Sequence, residues 1–129
     1  MPVLFTNHTR QCKKGEDETL SNFGTIICIC GSVRFKESMM HEACRKSMAG
    51  FIVLMPNCLN HDYFHKNPLG IDAKKRLDEL HFKKIELCDF VLVVNEDDYI
   101  GESTAREIAY AKKLGKPISY VFEEKEKMK

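Results

Sequence analysis

The chain has 129 residues, of which 30% are charged, and a formal net charge of +1. That length suits one domain with a substantial core, and the near-neutral balance gives no reason to expect a strongly basic nucleic-acid surface. No run is apolar for the length a membrane span needs, and the opening MPVLFTNHTRQCKKG has no signal-peptide core. A cytoplasmic protein with no membrane or nucleic-acid partner is therefore expected.

Residues 1–24 mix polar and apolar types without a period and read as an N-terminal arm. Residues 25–30, TIICIC, form a continuous apolar run and predict the first central strand. Gly31, Ser32, Val33 and Arg34 end it, and a helix follows with Phe35, Met39, Met40, Ala43 and Met48 as its apolar positions and Gly50 as its stop. Residues 51–55, FIVLM, predict the second strand, closed by Pro56.

Residues 57–71 read as a loop of 15 residues, a length typical of lids and binding loops. Its Tyr63, Phe64, His61 and His65 suit stacking on a flat ligand. A second helix is expected from Asp72 to about Cys88, with Leu77, Leu80, the stem of Lys84, Ile85 and Cys88 on its inner side. Residues 90–94, FVLVV, predict a strand buried on both faces. The polar loop 95–102 leads to a helix capped by Ser103 or Thr104, with Ile108, Ala111 and Leu114 on one face and Gly115 at its end. A last strand at 118–122 and a charged tail at 123–129 complete the chain.

The resulting order, βαβαβαβ, predicts an α/β fold: a doubly wound, Rossmann-like parallel sheet in a three-layer αβα sandwich. The expected strand order is 2-1-3-4. Its switch point falls between strands 25–30 and 90–94, where open α/β sheets bind ligands. Gly31–Arg34 and Asn95–Ser103 then face each other across one crevice.

Within that crevice the residue types point to an anionic or sugar-bearing ligand. Gly31, Ser32 and Arg34 combine close backbone approach, a hydroxyl and a permanent charge at a helix N-terminus, which suits a phosphate. A capped turn with Arg34 in solvent is the plainer alternative. Gly101 and Ser103 offer a second such cradle, and Asn95 lies on the same edge. Glu107, about one turn into its helix, is placed to act as a nucleophile or to anchor sugar hydroxyls. Its alternative is a surface pair with Arg106 or Lys112. His81 reads as a partly buried structural histidine that Asp78 could hydrogen-bond, and Asp89 as the cap of a backbone end.

Of the six cysteines, Cys28 and Cys30 alternate in a strand, Cys44 lies in a helix and Cys88 ends one. There is no C-x-x-C pair, so buried thiols acting as small hydrophobes are expected. Cys58, His61 and His65 have ligand spacing but no visible fourth partner. No metal and no cofactor are expected.

The segments GSVRF at 31–35, CDFVLVVN at 88–95 and YIGESTAREIAYAKKLGKPI at 99–118 resemble the nucleoside 2-deoxyribosyltransferase-like superfamily. That superfamily includes the 2′-deoxynucleoside 5′-phosphate N-hydrolases. The resemblance spans about residues 25–122 and is most specific in S-T-x-x-E-I-x-Y-A followed by G-K-P-I, which closely resembles a bacterial subgroup. It implies a flavodoxin-like fold and cleavage or transfer at an N-glycosidic bond of a nucleoside or nucleoside 5′-monophosphate. By the resemblance Glu107 is the nucleophile, Gly31, Ser32 and Arg34 form the phosphate loop, and Gly101 and Ser103 form a second loop beside it. An aspartate of the family falls on His81, so His81 either serves as the acid or leaves a nucleotide-binding sensor without turnover. The resemblance also implies a homodimer or larger homo-oligomer.

Overall fold

The computed structural model describes residues 22–56 and 70–122, the first four of the second span by backbone alone. Strand β1 (Ile26–Gly31) leads through a 3-10 turn (Val33–Phe35) into helix α1 (Lys36–Met48), followed by β2 (Ile52–Leu54). Helix α2 (Gly70–Leu87) precedes β3 (Phe90–Val94), a second 3-10 turn (Glu96–Asp98), helix α3 (Glu102–Lys113) and β4 (Ile118–Tyr120). The four strands are parallel in the order β2-β1-β3-β4. This is the expected doubly wound topology.

Alternation along β1 and β3 divides the core in two. Ile27, Ile29, Leu92 and Val94 point to one face and pack with Phe35 and Met39 from the α1 side. Cys28, Cys30, Val91 and Val93 point to the other and pack with Ile85, Cys88, Ile108 and Ala111 from the α2 and α3 side. Both central strands are covered above and below, so their residues are apolar without interruption. The carboxylate of Asp89 accepts from the Ile26 amide at 2.8 Å and so ties the start of β3 to β1, in the capping role expected of it.

Several boundaries and faces differ from expectation. Helix α2 begins at Gly70 instead of Asp72. Leu80, Met40, Met48 and Leu114 are exposed, although their spacing suggested inner positions. Met48 ends α1 and Leu114 is the C-cap of α3, past the turns that carry the buried residues, while Met40 and Leu80 adjoin buried Met39 and His81 and so lie about 100° round the helix from them. Helix α3 is capped by Gly101 without a side-chain hydrogen bond, while Thr104 is buried instead of serving as the cap. Gly115, at φ +76°, ends α3 as expected in the left-handed conformation glycine tolerates.

Candidate functional site

In the β1–β3 register Gly31 stands beside Val94, so the two strand ends are adjacent. The turn after β1 and the loop after β3 therefore begin at one edge of the sheet, the carboxyl edge. Space is tight at Gly31: a Cβ would lie 3.2 Å from the Val94 carbonyl oxygen and 3.3 Å from the Met39 sulfur, so a side chain there would push its neighbours by a few tenths of an ångström. Side chains then tie the two junctions together. The Ser38 hydroxyl donates to Glu96 at 2.8 Å. The Arg34 guanidinium lies 4.0 Å from the centre of the Tyr99 ring, which also meets Phe35 edge-on. Asp97 and Asp98 hold positive φ angles of 55° and 63°, a costly backbone concentrated in the loop that borders the site.

A cleft of about 350 Å³ opens between these junctions and α2. Gly31, Ser32 and Val33 line one wall, Gly101, Ser103 and Thr104 a second, and Leu77, Asp78, His81 and Glu107 the base and the side toward α2. Five residues that the sequence assigned to one site, Gly31, Ser32, Gly101, Ser103 and Glu107, thus share a cavity with His81. Ser32 caps its own turn by accepting from the Arg34 amide at 3.2 Å. Arg34 and Asn95 are placed differently. Arg34 stacks on Tyr99 beside the cleft, and Asn95 is buried, accepting from the Phe122 amide at 3.0 Å to tie β3 to the end of β4. Tyr63, Phe64, Cys58, His61 and His65 lie outside the described residues.

Glu107 is not the surface residue that a pair with Arg106 or Lys112 would make it. Arg106 turns outward to Glu102 and Ser103, whereas the Glu107 carboxylate lies 3.8 Å from His81 Nε2, with only 13% of its side chain exposed. Burial pushes its carboxyl above the ordinary carboxylate range, although His81 and the Cys30 thiol pull the other way.

His81 is 3% exposed, and its partner is not Asp78, which pairs with Lys74 at 3.2 Å. Nε2 instead faces the Cys28 sulfur at 3.6 Å and the Cys30 sulfur at 3.4 Å. Burial alone would lower the imidazole, but Cys28 and Glu107 outweigh it and the net shift is upward. Cys28 falls to about 6, held chiefly by the Cys30 thiol, while Cys30 rises because its thiol is held by a hydrogen bond to Cys28 and is buried. Nδ1 of His81 has no hydrogen-bond partner among the described residues.

Cys28 and Cys30 alternate in β1 but lack the C-x-x-C spacing, which belongs to turns and helices. On a strand the spacing that brings two thiols to one face is C-x-C, and that signal was present.

Comparison with protein-family models gives no match, and comparison with curated proteins gives none either.

Proposed function

We propose that the protein cleaves or transfers at the N-glycosidic bond of a nucleoside or nucleoside 5′-monophosphate, with Glu107 as nucleophile. The observation that carries this reading is the Glu107–His81 pair, 3.8 Å apart at the base of a cleft built from two strand-to-helix junctions. The sugar lies against Glu107, which attacks C1′ or supports the oxocarbenium-like centre, following the carboxylate logic of glycoside cleavage. His81 protonates the departing base. A 5′-phosphate, where present, sits at the N-terminus of α3. Gly101 supplies no capping side chain there, which leaves first-turn amides for an anion. Water as acceptor gives hydrolysis and a second base gives transfer. The reading needs no cofactor and carries with it a cytoplasmic homo-oligomer.

A second reading, a nucleotide sensor without turnover, is favoured by one observation: the Nε2 of His81 faces two thiols and Glu107 in a nearly closed setting. The experiment that separates the two is release of free base from a panel of nucleosides and nucleoside monophosphates. Wild type is expected to release base. Glu107→Ala is expected to lose about 10²-fold or more while still binding nucleotide, the order of loss seen when one positioned catalytic group is removed. Tight binding with no release by wild type establishes the sensor instead.

A further inference from the structure

Cys28 and Cys30 leave β1 on the same face, and His81 reaches them from α2 across the core. The two sulfurs and an imidazole nitrogen all lie within 4.8 Å of one another, and the three residues are buried. Sulfur-to-Nε2 separations are 3.6 and 3.4 Å. A tetrahedral Zn²⁺ with S and N ligands at about 2.3 and 2.0 Å sets them about 3.5 Å apart. The Glu107 carboxylate stands on the cleft side of this group, 3.8 Å from Nε2.

Two simpler accounts explain less. A disulfide is disfavoured because residues two apart on a strand point the same way and keep their Cβ atoms about 6.6 Å apart, against the roughly 3.8 Å that a disulfide needs. Closing it would pull Cys28 and Cys30 out of register with Val91 and Val93. A purely apolar role fits the thiols but not the ring between them, whose Nε2 is turned onto both sulfurs.

We propose that Cys28, Cys30 and His81 bind a soft divalent cation, Zn²⁺ in the first place, and that the Glu107 carboxylate, outside this group of three but 3.8 Å from Nε2, swings in from the cleft side as the fourth ligand. Two thiolates and an imidazole select Zn²⁺ over Mg²⁺ or Ca²⁺. Thiols bind as thiolates, so loading releases their protons to solvent. The ion engages the two side chains that the proposed cleavage requires, so metal and turnover compete for His81 and Glu107. That last consequence rests on the proposed activity; the site itself does not.

The test uses the full chain, reduced, stripped with a chelator and desalted. Zn²⁺ is titrated against a chromophoric chelator, and Co²⁺ is added separately as a spectroscopic probe. The expected result is one Zn²⁺ per chain, with a thiolate-to-cobalt charge-transfer band and tetrahedral ligand-field bands. Cys28→Ser and Cys30→Ser are expected to lose the charge-transfer intensity, and Cys44→Ser and Cys58→Ser to keep it. Glu107→Gln, on the cleft wall, spares the β1 core and is expected to weaken Zn²⁺ about tenfold or more while keeping the thiolate band. No retained Zn²⁺, a cobalt spectrum without the thiolate band, or loss through Cys58→Ser instead of Cys30→Ser overturns the site. Base release measured with and without chelator is scored separately, so a protein that holds zinc but releases no base defeats the enzymatic reading and leaves the metal site standing.

Discussion

The two faces of the sheet come from the same strands and differ in one respect. Toward α1, Ile27, Ile29, Leu92 and Val94 meet Phe35 and Met39 in an apolar cluster. Toward α2 and α3, Val91, Val93, Ile85 and Ala111 form an equally buried layer, but its upper end holds Cys28, Cys30, His81 and Glu107. Alternation along β1 sends isoleucines one way and cysteines the other, so one strand serves stability on one side and chemistry on its reverse. The one carboxylate that α1 buries, Glu42, is paired with Arg45 at 3.3 Å, whereas the α2–α3 face retains an imidazole nitrogen without a hydrogen-bond partner among the described residues and a carboxylate held above its ordinary range.

Substitutions on the two faces should therefore act in opposite senses. Ile29 is fully buried on the apolar face, and Ile29→Ala is expected to cost about 2–5 kcal/mol in a urea melt, through lost burial and the cavity left behind. A loss below about 1 kcal/mol would mean that this face is not the stabilising one. His81→Leu, on the other face, is expected to leave stability unchanged or raise it by about 1 kcal/mol at mildly alkaline pH. It removes a buried nitrogen that lacks a partner among the described residues and keeps the volume. The same variant should lose base release, separating function from stability.

The pH profile of base release by the metal-free protein sharpens the contrast. Glu107 must be ionised, and burial raises its carboxyl, so activity should fall as pH drops through a point above the usual 4.5. His81 must be protonated, and its net shift is upward, so activity should fall again as pH rises through a point above 6.5. A bell-shaped curve between those limbs is the expected result, and a profile flat across both excludes the pair as acid and nucleophile. The smallest effect belongs to Lys74, whose solvent-exposed pair with Asp78 borders the cleft. Lys74→Ala should change stability by less than about 0.5 kcal/mol, because water screens such pairs.

Sequence pattern was enough for the elements, their parallel order and the meeting of two distant junctions. Uninterrupted apolar runs mark strands covered on both faces, and the β1–β3 switch follows from short right-handed crossovers. The same pattern placed Gly31, Ser32, Gly101, Ser103 and Glu107 together, and the cleft is lined by all five. Tertiary structure decided what period alone cannot: which residues on a helical stripe reach the sheet. Met40, Met48 and Leu80 share the period of the buried residues but miss the contact, while His81 on the inner turn of α2 goes fully inside. It decided also that Asp78 turns to Lys74, leaving the His81 ring to two thiols that a strand's two-residue repeat had set side by side. Such partnerships depend on the distance between a helix and a sheet packed against it, and that distance has no counterpart along the chain.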